Sequence, residues 1–248
     1  MDLGLRGKTA IVCGASSGLG LASAEALAEE GANVAMLARR REQLTQDAER
    51  IGALAVRGDV TNAADLERLV TRTLEAFGGI DIVVWNSGGP PAGKASELTD
   101  EQLEAAFELL LVPAVRLVRL CLPHLEKSGA GRIVAINSIT TKEPSPNLPL
   151  SNAMRPGLTG WLKTLSRELG PKGITVNSVG AGRIDTPRMT ELYGEAGLSA
   201  EELAEIPIGR MGTPREFGDV VCFLASARAS YISGTLVLVD GGSSRSLL

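Results

Sequence analysis

A regular alternation of short β-rich runs with longer helical runs is the feature that most restricts the fold of this chain. The runs TAIVCG, NVAMLA, ALAVRGDV and IDIVVWN are each separated from the next by a helix-like segment, and RIVAINS, ITVNSVG and VLVDGG continue the series. This rhythm is typical of βαβ units, which place parallel strands in one sheet and helices on both of its faces. We therefore predict a doubly wound α/β fold.

Nothing in the sequence resembles a linker between domains. A chain of 248 residues that is 44% apolar can bury one large core. We expect residues 1–248 to form a single domain that carries a lid-like segment at about residues 187–213, where short amphipathic pieces are separated by Gly and Pro. An ordinary pair of surface helices is the alternative for that segment.

Charge and composition exclude several classes of partner. The net charge is -4, the sequence pI is near 5.3, and Lys and Arg form no block, so we expect neither nucleic acid nor a membrane as a partner. Cys13, Cys121 and Cys222 stand alone in apolar runs, without metal-site spacing. We expect a cytoplasmic protein with reduced, buried thiols, no metal, and a small-molecule substrate.

A long helix is predicted from about Asp100 to Glu126. It is apolar around much of its circumference between Phe107 and Leu122, and a helix of this kind is covered on more than one side. A second subunit is therefore expected to cover part of it. Pro113 should kink or break the helix.

The glycines that follow the first strand indicate a phosphate-binding turn. Gly14, Gly18 and Gly20 in CGASSGLG lie between that strand and the first helix. Glycine permits a tight turn and a close approach of the backbone to a pyrophosphate at the N-terminus of the helix. We therefore predict a dinucleotide site.

The end of the second strand distinguishes between two dinucleotides. An acidic residue there would bind a ribose 2′-hydroxyl, but the sequence is MLARRREQL, and Arg39 to Arg41 suit a 2′-phosphate. NADP(H) is the preferred cofactor, and NAD(H) remains possible. Alternatively, these arginines are only the solvated start of a helix.

With these motifs in order, the whole chain resembles a short-chain dehydrogenase/reductase (SDR) of the β-ketoacyl-carrier-protein-reductase-like group. GASSGLG, GDV, WNSGG, NSVGAGRIDTP and LVDGG are similar to that family's motifs. The resemblance implies a Rossmann-type fold with about seven parallel strands, a carbonyl or alcohol substrate, and a homotetramer or homodimer. It also implies these cofactor-binding residues: Gly14, Ser16, Ser17, Gly18, Leu19, Gly20, Arg39, Arg40, Asp59, Val60, Asn86, Gly88, Arg155, Gly182, Ile184 and Thr186.

The catalytic positions depart from the family pattern. The family uses a tyrosine as proton donor, a lysine four residues later, a serine that holds the carbonyl oxygen, and an asparagine in a water relay. Here Ser138 is kept, whereas Ser151, Arg155 and Leu110 stand at the other three positions. A serine hydroxyl titrates far above a phenol, and an arginine does not shuttle protons.

Pro156 directly follows Arg155, and proline disfavours the helical conformation of the residue before it. We therefore expect the helix to begin near Pro156, so that Ser151 and Arg155 need not share a face. Lys142 and Glu143 are further candidates for a role in the chemistry.

Three functions fit these residues. The first is an NADP(H)-dependent SDR oxidoreductase with an atypical active site formed by Ser138, Ser151 and Arg155. The second is a catalytically inactive relative that serves as an NADP(H)-binding sensor or structural subunit. The third is a different doubly wound binder of nucleotide-like ligands, such as a methyltransferase.

Overall fold

The computed structural model describes residues 1–247 and contains one seven-stranded parallel sheet. The strand order is β3-β2-β1-β4-β5-β6-β7, so the predicted doubly wound fold is confirmed. The strands are β1 (Thr9–Cys13), β2 (Asn33–Ala38), β3 (Leu54–Arg57), β4 (Ile82–Trp85), β5 (Arg132–Ser138), β6 (Thr175–Ala181) and β7 (Leu236–Val239).

Helices connect these strands and cover both faces of the sheet. They are α1 (Gly18–Glu29), α2 (Arg41–Ile51), α3 (Ala63–Phe77), α4 (Asp100–Leu110), α5 (Val112–Ser128), α6 (Pro149–Leu169), α7 (Pro187–Tyr193), α8 (Ala200–Ala204) and α9 (Pro214–Ala225). No helix within residues 1–247 is both long and apolar enough to cross a membrane.

Alternate residues of the central strands enter two separate hydrophobic cores. In β1, Ala10 and Val12 face the core built with α1 and α9, whereas Ile11 and Cys13 face the core built with α3, α5 and α6. Successive side chains of a strand point to opposite faces of a sheet. Because both faces are buried, the central strands are apolar along their whole length.

The predicted long helix is two helices. Helix α4 ends at Leu110 and α5 begins at Val112, with Leu111 between them in a distorted helical conformation (φ -111°, ψ -56°), and Pro113 lies in the first turn of α5. The expected break is confirmed. Proline is tolerated there because the first N–H groups of a helix have no partner within the helix.

The predicted start of the next helix, near Pro156, is wrong. Helix α6 begins at Pro149 and continues through Pro156 to Leu169. Pro149 suits the first helical position. The side chain of Asn152 holds the loop before the helix, because its Oδ1 accepts from Ser145 N (3.1 Å) and its Nδ2 donates to Ser145 O (3.0 Å). Leu150 before Pro156 and Leu158 after it are both buried, and this packing of the helix outweighs the local cost of Pro156.

Asp81 ties together several elements at the amino-terminal edge of the sheet. Its carboxylate accepts hydrogen bonds from Thr9 N (2.9 Å), Lys8 Nζ (3.0 Å) and Ser128 Oγ (2.6 Å). Burial acts to raise the pKa of Asp81, but the bonds from Ser128, Thr9 and Lys8 outweigh it, so the pKa lies below its ordinary value. The ionised carboxylate therefore stabilises the folded state.

We predict that Asp81→Asn lowers the free energy of unfolding at pH 7 by about 1–3 kcal/mol, because charged hydrogen bonds are weakened. The contribution of Asp81 is present above the unfolded pKa of about 3.9 and is lost as the pH falls through the lower folded pKa. The difference between parent and variant should therefore shrink below about pH 4. Urea unfolding at several pH values and one protein concentration measures it.

Asp219→Asn is the matched control. Asp219 accepts from Arg215 Nε at 2.7 Å in an exposed i,i+4 pair, for which we expect a loss below about 1 kcal/mol. Equal losses in the two variants at pH 7 would contradict the special role of Asp81.

Candidate functional site

The turn between β1 and α1 has room only for glycine at two of its positions. Gly14 has a φ of +59°, which disfavours other residues. A Cβ built on Gly20 would lie 2.2 Å from Gly14 O and 2.7 Å from Asn86 Nδ2. The helix therefore begins against the backbone of the turn, which leaves the turn's outer side open to a ligand.

Two more of the predicted residues hold this turn. Asn86, at the end of β4, donates from Nδ2 to Gly14 O at 3.2 Å. Thr186 lies near Gly18, because the Cβ atom of Thr186 is 3.4 Å from the position that a Cβ on Gly18 would occupy. The structure thus brings together Gly14, Gly18, Gly20, Asn86 and Thr186, which are distant in sequence.

The N-terminus of α1 suits an anion. Ser17 is its N-cap residue, yet the Ser17 side chain makes no capping hydrogen bond and the first turn contains no acidic residue. Arg40 Nη2 instead donates to Ser17 Oγ at 2.6 Å, and Arg39 Nη1 lies 3.9 Å from Asp59 Oδ2. Uncapped N–H groups and two exposed guanidinium groups fit the phosphates of a dinucleotide.

The remaining predicted cofactor residues lie around this turn or along the same edge of the sheet. Gly88 is exposed, with open space where a Cβ would stand. A Cβ on Gly182 would lie 2.6 Å from Asp240 Cα, so this glycine permits the close approach of the chain beyond β7. Ser16 and Ile184 are buried, and Leu19 and Val60 are partly buried against the two cores.

Ser138 ends β5 at the carboxyl edge of the sheet. It is partly exposed, and its Oγ accepts a hydrogen bond from Thr140 N at 3.2 Å. Its hydroxyl proton is not used in that bond, so it is available to an oxygen atom of a ligand. In open α/β sheets, ligands bind outside the carboxyl ends of the strands.

Ser151 and Arg155 do share a face of α6, contrary to the expectation from Pro156. Arg155 Nε donates to Ser151 Oγ at 3.1 Å, as i,i+4 neighbours can in a continuous helix. Ser151 is only 5% exposed, and its Oγ also lies 2.9 Å from Thr140 Oγ1. The Ser151 hydroxyl is therefore occupied within the protein, between Arg155 and Thr140.

Arg155 is partly buried. Besides its bond to Ser151, its side chain makes one long hydrogen bond, from Nη1 to Asn137 Oδ1 at 3.5 Å. Burial, and to a smaller extent the nearby positive charge of Arg188, lower the pKa of Arg155 to about 10. With this pKa, Arg155 remains charged at neutral pH.

Three residues of this site were not identified from the sequence. Asn137 and Thr140 flank Ser138 and contact Arg155 and Ser151, and adjacency to Ser138 is the signal that could have identified them. Arg188 follows Thr186 by two residues in the lid-like segment, but only the fold brings it towards Arg155.

Other candidates lie elsewhere or are engaged. Glu143 Oε2 accepts from Arg245 N at 2.7 Å and Ser244 Oγ at 3.2 Å, so it holds the C-terminal segment. Lys142 is exposed, and Leu110, at the position of the family asparagine, is 1% exposed. Within residues 1–247, no group of three or more His, Cys, Asp or Glu side chains is arranged to hold a metal ion.

An open cleft of about 530 Å³ lies beside the glycine turn, at the start of the lid-like segment. Its lining includes Asp185, Thr186, Pro187, Thr190 and Glu191. Thr186 and Pro187 also lie against Gly18. The cleft is therefore continuous with the region where we place the cofactor.

Comparison with known proteins identifies the family. The family model described as enoyl-(acyl carrier protein) reductase matches residues 14–244. The 3-oxoacyl-[acyl-carrier-protein] reductase FabG of Vibrio cholerae is 34% identical over 242 residues, which cover 97% of this chain and 98% of that protein. The dehydrogenase/reductase SDR family member 4 of Homo sapiens is 33% identical, over 96% of this chain and 88% of that protein.

Solved structures agree with this sequence similarity. The L-sorbose reductase of Gluconobacter frateurii, complexed with NADPH and L-sorbose, superimposes with a TM-score of 0.92 at 33% identity, over 100% of both chains. YwfH, an NADPH-dependent reductase involved in bacilysin biosynthesis, gives 0.92 at 26% identity, over 97% of this chain and 99% of that one. On the family match, the full-length relatives and the shared fold, this chain belongs to the short-chain dehydrogenase/reductase family.

Proposed function

We propose that this protein is an NADP(H)-dependent oxidoreductase that acts on the carbonyl or alcohol group of a small molecule through an atypical active site. The observation that carries the proposal is the juxtaposition of Ser138 with a charged, incompletely bonded Arg155 at the carboxyl end of β5. One group donates a hydrogen bond and the other supplies positive charge, which are what a carbonyl oxygen needs as it gains negative charge.

NADP(H) fits the residues that hold the dinucleotide. The uncapped N-terminus of α1 receives the pyrophosphate, and Asn86 and Thr186 flank the same turn. Arg39 and Arg40, both exposed after β2, are placed to bind a 2′-phosphate. The NADPH complexes of the sorbose reductase relative support the same choice.

Ser138 and Arg155 act on the substrate oxygen in this proposal. When bound, NADPH supplies a hydride to the carbonyl carbon, the carbonyl π electrons move to the oxygen, and a proton from water completes the alcohol. Ser138 Oγ donates a hydrogen bond to that oxygen, and the charge of Arg155 stabilises it. Ser151 is a positioning residue, because its buried hydroxyl accepts from Arg155 Nε and holds the guanidinium in place.

A second function is favoured by a different observation. Ser151, at the tyrosine position, is buried and occupied, and Leu110, at the relay position, is buried as well. A catalytically inactive SDR that binds NADP(H) as a sensor or structural subunit would need neither group. It predicts nucleotide binding without turnover.

We also propose an assembly of two or four copies that involves α4 and α5. Phe107 is 44% exposed, and Leu111 and Val115 are partly exposed beside it. An apolar surface of this kind is stabilised when a second copy covers it.

We further propose that residues 187–213 form a lid over the cleft and that the protein acts in the cytoplasm.

We predict that replacing Arg39 and Arg40 together by Met weakens NADPH binding by about tenfold to a hundredfold, because charge-assisted bonds to the 2′-phosphate are lost. NADH lacks that phosphate, so its affinity should stay within about twofold of the parent value. Fluorescence titration of the bound nicotinamide measures both constants. Equal losses for the two nucleotides would contradict a 2′-phosphate site.

We predict that Ser138→Ala lowers kcat for carbonyl reduction roughly 100-fold or more, because a donor to the developing negative charge is removed. NADPH oxidation is followed by absorbance with aldehydes, ketones, diketones, quinones and acyl thioesters. NADPH affinity should be unchanged. Bound NADPH with no turnover of any substrate by the parent would favour the inactive sensor or subunit.

A further inference from the structure

Arg155 is a partly buried cation that no carboxylate of residues 1–247 pairs with. Its hydrogen bonds are those to Ser151 Oγ at 3.1 Å and Asn137 Oδ1 at 3.5 Å. A guanidinium group carries five N–H donors, so about three of them have no partner in this part of the chain.

Arg132 is a buried arginine with a structural role, and it too has no ion pair among the described residues. Its guanidinium N–H groups are instead satisfied by hydrogen bonds within the protein. Its Nε donates to Ser226 O at 3.2 Å, and its Nη1 donates to Ala130 O at 2.9 Å and Gly131 O at 3.0 Å. Backbone carbonyl groups thus surround Arg132. Arg155 has no comparable set, so packing alone does not account for its position.

One nitrogen atom of Arg155 is both unpartnered among the described residues and accessible. Among the described residues, the buried side-chain nitrogen and oxygen atoms that lack a partner belong to Thr141 and Thr175, and none belongs to Arg155. Nη2 of Arg155, for which no hydrogen-bond partner is found among the described residues, is therefore not fully buried.

A second guanidinium group approaches the same region. The charge of Arg188 reaches Arg155 strongly enough to lower its pKa. Arg188 Nη2 donates to Pro90 O at 2.6 Å, and a Cβ built on Gly89 would lie 2.7 Å from Arg188 Nε, so this side chain lies across the segment that follows β4.

Glu191 pairs with Arg188, but no carboxylate of the described residues pairs with Arg155. Glu191 Oε2 lies 3.0 Å from Arg188 Nη1 and is itself exposed, and Asp185 is exposed on the adjoining cleft. Neither is a partner of the Arg155 side chain, which bonds to Ser151 and Asn137. A charged guanidinium group that has donors to spare and no carboxylate partner favours an anion beside it, and the charge of Arg188 nearby adds to that preference.

We propose that Arg155, together with Arg188, binds a carboxylate group of the substrate, so that the substrates are small carbonyl compounds that carry a carboxylate. The inference rests on the proposed oxidoreductase function and names the substrate class of that site. A carboxylate matches the planar fork of a guanidinium with two parallel hydrogen bonds. The charge that would stabilise the substrate oxygen then also selects the substrate.

Matched acid and amide pairs test this proposal without turnover. Pyruvate, acetoacetate and levulinate, and the amide of each acid, are titrated calorimetrically into the protein saturated with NADP⁺, which carries no hydride to transfer. The three acids differ in the distance between carboxylate and carbonyl. We expect at least one acid to bind about tenfold more tightly than its amide, since a charged hydrogen bond is exchanged for a neutral one.

Three variants separate the anion site from general effects. Arg155→Met should abolish the preference for the acid, whereas Arg155→Lys, which keeps the charge, should retain part of it. Arg188→Met should reduce it. Arg167→Met is the control, because Arg167 is exposed on the same helix and its removal changes the net charge equally. Each variant is checked for folding by its Tm and for NADPH affinity.

The possible outcomes distinguish this proposal from the proposed function. Equal binding of every acid and its amide by the parent overturns the carboxylate site and leaves the Ser138→Ala assay to decide on activity. Loss of NADPH binding in Arg155→Met with the acid preference intact makes Arg155 a cofactor ligand and also overturns it. Inorganic phosphate that binds better than every acid would overturn the carboxylate in favour of a phosphorylated substrate. If NADP⁺ does not bind, the same titrations without nucleotide decide the question.

Discussion

Both faces of the seven-stranded parallel sheet are covered by helices, and this constraint determines where chemistry can occur. Side chains along the central strands are committed to the two cores, so polar groups with a function can stand only at the strand ends. At the amino edge, Asp81 binds backbone and side chains and serves stability. At the carboxyl edge, the glycine turn, Asn86 and Ser138 come together, because all parallel strands end on the same side.

A hydrogen bond joins Ser151 and Arg155, which the resemblance to the family places at its tyrosine and lysine positions. Ser151 is turned inward and holds the Nε atom of Arg155, while Thr140 supports Ser151 from the segment after β5. The guanidinium is fixed at one end and open at the other. In this comparison the proton donor is lost, whereas the positive charge of the family's lysine is kept on a guanidinium group, which favours binding of a negatively charged group at the site.

The sequence predicted most of the fold correctly, including the tight glycine turn after the first strand. Strands such as Asn33–Ala38 and Arg132–Ser138 are bounded as their β-rich runs indicate, and the glycine spacing identified the turn at Gly14. The predicted start of α6 near Pro156 was wrong. The prediction used the local preference of the residue before proline, but the helix begins at Pro149 and is held by the packing of its buried side chains. Local propensities are a weak guide where packing has already fixed the backbone.

The sequence by itself determined the doubly wound architecture and the place of the glycine turn, because both depend on residue type and on spacing along the chain. The loss of the usual tyrosine and lysine is what its resemblance to the family implies. Only the tertiary structure decided that Ser151 is buried, that Arg155 lacks an ionic partner among the described residues, and that Arg188 approaches it. These features depend on which side chains meet when distant segments pack at one edge of the sheet, and periodicity carries no information about that.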